Sequence, residues 1–115
     1  MSIASDLIRG HTDMVILARL LARDSYGYEI NKAIQQTTGG QFELKEATLY
    51  TAFRRLEESG CIQSYWGNET TGARRRYYCI TEEGRQAFCR LCDEWRQAKQ
   101  LIDKLIEREE PSDGR

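Results

Sequence analysis

Arginine, cysteine and histidine are the side chains through which this sequence could do chemistry. Arginines pair at Arg54-Arg55 and run three together at Arg74-Arg75-Arg76. Clusters of that kind suit phosphate, because each guanidinium presents a fixed fork of donors. Four cysteines stand at 61, 79, 89 and 92, and Cys89-Arg-Leu-Cys92 has the CxxC spacing of zinc and redox sites. A zinc site needs about four ligands, however, and the only histidine, His11, is remote in sequence. Redox CxxC pairs open a helix, where the dipole lowers a thiol pKa; this pair lies well inside a helical pattern. It reads as two small apolar residues on a helix. There is no Gly-rich phosphate loop, no GxSxG and no second histidine to partner a nucleophile. An enzyme is not expected, and neither is a metal or a cofactor.

The elements that carry these residues must fit within 115 residues and 13.4 kDa, which is one ordinary domain. With 40% hydrophobic and 30% charged residues the chain can fill a core and stay soluble. A chain this short hides a smaller share of its surface than a large one, so a partner subunit is a natural remedy. Lys and Arg total 17 against 18 Asp and Glu, a net charge of −1. That excludes an unspecific polycation, but not a DNA binder, for which the placement of positive charge matters. No apolar stretch reaches the roughly 18 residues needed to span a bilayer. The start lacks the basic and apolar regions of a signal peptide, so a cytoplasmic protein with reduced thiols and no membrane partner is expected.

Residues 6–23 are rich in apolar side chains at helical intervals, which predicts one helix buried around most of its circumference. Asp24-Ser25 is expected to stop it and cap a second helix over 26–37, with Ile30, Ala33 and Ile34 on one side. Gly39-Gly40 supplies the left-handed backbone of the following reversal. A third helix fits Glu46–Glu58, stopped by Ser59-Gly60. On a helical wheel Phe53 and Leu56 fall within about 40° of Leu49. The opposite side holds Ala47, Thr48, Thr51, Arg54 and Arg55, with Tyr50 on its flank. Small residues allow close approach in a major groove, while Thr and Arg reach base edges and phosphates.

Two β-type segments follow, 61–66 and 76–80, with turn chemistry at 67–73 between them. Three arginines beside that turn make a poor core and a good phosphate clamp. The order helix, helix, helix, basic hairpin is that of a winged helix-turn-helix. Thr81 is expected to cap a last helix over 82–106, with Glu82 and Glu83 in its first turn. Its apolar positions Phe88, Leu91, Trp95, Ala98, Ile102 and Leu105 are spaced 3, 4, 3, 4 and 3, a heptad seam. The seam is too short for a free coiled coil and is expected to pair across a two-fold axis, helped by the first helix. The expected fold is therefore mostly α, an α+β winged helix-turn-helix. It has a three-helix core and a two-stranded wing over 1–81, a long C-terminal dimerisation helix over 82–106, and a disordered polar tail over 107–115.

The stretch Glu46-Ala-Thr-Leu-Tyr50-Thr-Ala-Phe-Arg-Arg-Leu-Glu-Glu-Ser-Gly60 resembles the PadR family of transcriptional regulators. So do Ser64-Tyr-Trp-Gly67 and Arg74-Arg-Arg-Tyr-Tyr78-Cys-Ile-Thr-Glu-Glu-Gly84. The similarity runs over residues 7–106, and the single C-terminal helix is similar to the small subgroup, which includes multidrug binding. The resemblance implies a dimeric repressor reading a palindromic double-stranded operator with its third helix and wing. By matching position it implies DNA contacts at Lys45, Thr48, Tyr50, Thr51 and Arg54, with Arg55 beside them on the same helix and Arg74, Arg75 and Arg76 on the wing. Lys45 is a departure, since relatives often carry a small polar cap there.

Drug-binding relatives have a tryptophan where Trp95 stands, and the two copies sandwich flat aromatic ligands across the dyad. Matching positions for that slot are Leu7, Gly10, Met14, Leu91, Cys92 and Lys99. Cys92 replaces an aromatic and Lys99 an acid, so the ligand class does not carry over. The function expected is a ligand-responsive repressor. One alternative is a repressor without an inducer, its Trp95 pair being dimer core. Another is a dimerisation module that lost DNA binding, against which the arginines at 54, 55 and 74–76 speak.

Overall fold

The computed structural model describes residues 3–68, 72 and 74–107. Five helices and one hairpin follow in the order α1 (Ile3–Arg9), α2 (Thr12–Ala22), α3 (Gly27–Thr37), α4 (Glu46–Glu58), β1 (Ile62–Trp66), β2 (Arg76–Ile80) and α5 (Glu82–Ile106). The expected mostly helical winged-helix architecture is present, with α2, α3 and α4 as its three-helix core. Among the described residues no helix is long and apolar enough to cross a membrane.

The first helix is not continuous. The chain breaks at Gly10-His11, where the His11 N–H donates to Ile8 O at 2.8 Å and closes a turn. Glycine in a helix interior costs about 1 kcal/mol relative to alanine, so an apolar run alone does not hold the helix through it. Thr12 Oγ1 then donates to Arg9 O at 2.7 Å and fixes the corner. Ser25 is also not the cap expected. It pairs with the wing instead: Ser25 N–H donates to Tyr78 O at 3.2 Å and Tyr78 N–H to Ser25 O at 2.9 Å. Tyr26 takes the cap position, and its N–H donates to Glu29 Oε1 at 3.3 Å.

The core is one cluster in which Ile16, Leu17 and Leu20 of α2 meet Ile30 and Ile34 of α3. Leu49, Ala52, Phe53 and Leu56 of α4 and Ile62 and Tyr78 of the hairpin complete it. The buried stripe of α4 thus falls where the wheel places it. The link before α4 is not a solvated loop, because Phe42 and Leu44 are buried. The Asn31 amide grips the Leu44 backbone on both sides, donating to its carbonyl at 2.6 Å and accepting from its N–H at 2.8 Å. That clamp orients the entry of α4, since Lys45 at the cap position offers no side-chain bond.

The hairpin is antiparallel, with Ile62 opposite Ile80 and Trp66 opposite Arg76. Thr81 caps α5 as expected, accepting from Gly84 N–H at 3.0 Å and donating to Gly60 O at 2.7 Å. This brings the first turn of α5 directly against the end of α4. A Cβ on Gly84 would collide with the Cys61 carbonyl oxygen and lie 2.7 Å from Ile80 Cγ1. Backbone on one side leaves little room to yield. Gly84→Ala is therefore expected to destabilise the fold by about 1–3 kcal/mol or more, read as a lowered midpoint in urea or thermal unfolding. An unchanged midpoint would contradict this packing.

Beyond its first turns α5 leaves the core. Ala87 is buried and Phe88 and Leu91 pack against the core cluster, but every residue over 93–107 is exposed. Glu107 closes the described helix, and the rest of the tail expected to be disordered lies outside the described residues. The same holds for residues 69–71 and 73 of the wing turn.

Candidate nucleic-acid interface

The side of α4 opposite its buried stripe carries Ala47, Thr51, Arg54 and Arg55 exposed and Thr48 half-buried. Tyr50 is exposed on the flank, with its ring edge-on to Phe53 at 5.4 Å. Phe53 in turn stacks on Tyr78 of β2, with ring centres 3.9 Å apart and planes inclined by 20°. Below that stack Glu57 accepts from Ser64 Oγ at 2.9 Å, and Arg76 donates to Ser64 Oγ at 2.8 Å and to Glu57 at 3.5 Å. Stacked rings and the hydrogen-bonded trio of Glu57, Ser64 and Arg76 thus lock the wing to α4. A polar contact here and an apolar one in the core hold the two elements in one orientation.

The three wing arginines are exposed, and each guanidinium lies over an aromatic ring. Arg74 covers Trp66 at 5.4 Å, Arg75 covers Tyr26 at 4.9 Å and Arg76 covers Tyr78 at 5.8 Å. Cation–π contact restrains a side chain without itself consuming N–H donors. Tyr65 is tied back: its hydroxyl donates to Asp24 at 2.6 Å, and that bond pushes its pKa up to about 12.

The two arginines of α4 differ. Arg54 is exposed and makes no ion pair among the described residues. Arg55 donates from Nε to Asp13 Oδ2 at 3.2 Å and through a terminal nitrogen to Oδ1, joining α4 to α2. The hydrogen bond to Asp13 raises the Arg55 pKa, opposed by a small loss of solvation.

Beside this pair an open groove of about 810 Å³ runs between the α1–α2 corner, α4 and α5. Gly10, Met14, Leu91 and Trp95 line it, along with Ala98, Thr48 and Thr51. Trp95 packs edge-on against His11, ring centres 5.1 Å apart.

Residues 16–90 match the transcriptional regulator PadR-like family, which is more than half of the chain. The chain belongs to the PadR-like family. A solved transcriptional regulator from Clostridium thermocellum is 48% identical, with a TM-score of 0.82 over 90% of this chain and 100% of that one. A PadR family transcription regulator from Clostridium difficile R20291 is 38% identical, with a TM-score of 0.71 over 84% of this chain and 99% of that one. An uncharacterized protein of Lysinibacillus sphaericus is 44% identical over 105 residues, 91% of this chain and 96% of its own length. This PadR-like protein is thus a DNA-binding transcriptional regulator with a winged-helix fold.

Within this regulator, the residues assigned to DNA by sequence fall on two adjoining elements, α4 with its cap residue Lys45 and the wing. Four of the seven residues assigned to a ligand slot, Gly10, Met14, Leu91 and Trp95, share the groove. Leu7, Cys92 and Lys99 do not line it: Leu7 and Lys99 are exposed and Cys92 is half-buried on α5. Sequence reasoning missed His11, Asp13 and Glu94, which do line it. The hydrophobic period of 6–23 carried no sign that a corner would aim His11 at α5. The groove also lies largely outside the family match, since only its α4 wall falls within 16–90.

Proposed function

We propose that this PadR-like regulator is a homodimeric cytoplasmic repressor that binds an inverted-repeat operator. It releases that operator when a planar aromatic compound enters beside Trp95, as in the small multidrug-binding subgroup. The observation that carries the DNA part is the exposed face of Thr48, Thr51 and Arg54, held rigidly beside the wing arginines by the Phe53–Tyr78 stack and Glu57. Lys45, Thr48, Tyr50, Thr51 and Arg54 would meet the major groove and its phosphates, Arg55 a base edge beside them, and Arg74 to Arg76 the flanking backbone.

The ligand part rests on Trp95, which keeps 41% of its surface exposed while lining a groove with apolar Met14, Leu91 and Ala98. Two such rings facing across a dyad would stack both faces of a flat guest. Lys99, one turn further on, favours neutral or anionic guests. A guest that wedges the dyad would shift the spacing of the two wings, a coupling of about 1–3 kcal/mol.

Tryptophan fluorescence titrated with planar compounds tests this. Quenching of Trp95 in the micromolar range is expected, absent in Trp95→Phe, whose remaining signal comes from Trp66. Each quenching compound should weaken operator binding. A second reading, a repressor with no inducer, is favoured by the His11–Trp95 packing. It holds if no compound quenches Trp95 or if quenching leaves operator affinity unchanged.

A further inference from the structure

Arg54 and Arg55 are neighbours in sequence, yet only Arg55 is engaged inside the protein. Its guanidinium forks onto Asp13 with two donors, the geometry in which arginine holds a carboxylate most firmly. The pair is not buried: the Arg55 and Asp13 side chains keep 53% and 31% of their surface. Both line the open groove that also holds Ala47, Thr48 and Thr51 of the DNA-reading face. A nucleic acid approaching that face therefore meets Arg55 already paired, and meets a carboxylate beside it.

One fork cannot serve two acceptors fully. On random DNA, moving Arg55 from Asp13 to a phosphate exchanges one bidentate anion for another and leaves the Asp13 carboxylate unpaired near a polyanion. The net gain is small. On a site with guanine in reach, the fork meets two acceptors, O6 and N7, on a base edge that carries no formal charge. That contact exists only for the right sequence. We infer that Asp13 is a positioning residue that withholds Arg55 from non-specific DNA and so widens the margin between operator and random sequence. The inference rests on the DNA-binding reading above and adds to it a residue outside the reading helix, acting through one inside it.

The test compares wild type, Asp13→Asn, Arg55→Gln and the double variant by fluorescence anisotropy between about 50 and 200 mM salt. One probe is a random-sequence duplex, the other a duplex that wild type selects from a random pool. With Asp13 neutralised, the slope of log affinity against log salt on the random duplex should steepen by about 0.9 per released arginine. The ratio of selected to random affinity should fall severalfold. Arg55→Gln should leave the random-duplex slope at the wild-type value, and the double variant should match it. Asp13→Glu should restore the wild-type slope.

An unchanged slope in Asp13→Asn overturns the inference. So does an equal gain in the Arg55→Gln background, which marks the general field of a lost carboxylate. A shallower random-duplex slope in Arg55→Gln overturns it too, because Arg55 would then already be on phosphate. That last arm stands even if Asp13→Asn fails to fold. Wild type binding neither duplex would strike the DNA-binding reading itself; wild type binding with variants alike would strike only Asp13.

Discussion

Raising salt from about 50 to 200 mM is expected to cut operator affinity by roughly 10³–10⁵. The expectation follows from the exposed cations of α4 and the wing. Lys45, Arg54, Arg74 and Arg75 are exposed on the face proposed to meet DNA. In the proposed dimer, four such cations from each subunit would fall within the roughly 6–10 phosphate contacts that produce a loss of that size. The overall charge of −1 does not oppose this, because attraction is local within a Debye length of about 10 Å. Arg75→Ala should weaken binding to all sequences alike and lower the salt slope by about 1 per subunit. Thr51→Ala and Tyr50→Ala should instead change which sequences are preferred. A gel-shift series in which none of the three substitutions matters would remove the assignment of both faces.

What sequence could and could not disclose divides along the range of the interactions. α4, β2 and α5 have the bounds expected because their ends are set within a few residues. Gly60 takes a left-handed φ of 81° that ends α4, and the Thr81 hydroxyl opens α5. The outward face of α4 was readable for the same reason, since a helix with Leu49, Phe53 and Leu56 inward must turn Thr51 and Arg54 outward. The break at Gly10-His11 was not, because the apolar period continues through it. Nor were contacts made over long separations. Arg55 finds Asp13 across 42 residues, Tyr65 finds Asp24 across 41, and Ser25 finds Tyr78 through backbone alone. Glu57 shows the cost of reading charge without position. An acid at a helix end reads as a solvated charge, but this one anchors the wing through Ser64 and Arg76.

Ile102→Asp is expected to convert the protein from a dimer to a monomer at micromolar concentration, as read by light scattering. The 25 residues of α5 extend about 37 Å at about 1.5 Å per residue, and the helix packs on its own core only through its first turns. Further out it exposes Trp95, Leu101, Ile102, Leu105 and Ile106, with Leu105 at 82% and Ile106 at 70%. The expected seam contained Ile102 and Leu105; Leu101 and Ile106 widen it into a double row. A double row has more apolar width than one facing helix covers, so in the proposed dimer the partner would supply a second wall. α1 suits that role, because its Leu7 is 70% exposed. An apolar stripe of this length left in water would be a liability, and pairing across a two-fold axis would cover it. An aspartate at 102 places an unpaired charge where water is excluded, which costs several kcal/mol in each subunit. The same axis would set the two α4 helices about one DNA turn apart, or a multiple of it, so dimer loss should also abolish tight operator binding. Leu105→Ala, which removes contact without adding charge, should weaken the dimer by less. Wild type that scatters as a monomer at micromolar concentration would refute the interface. If Ile102→Asp remained a dimer, pairing would have to lie elsewhere on the chain.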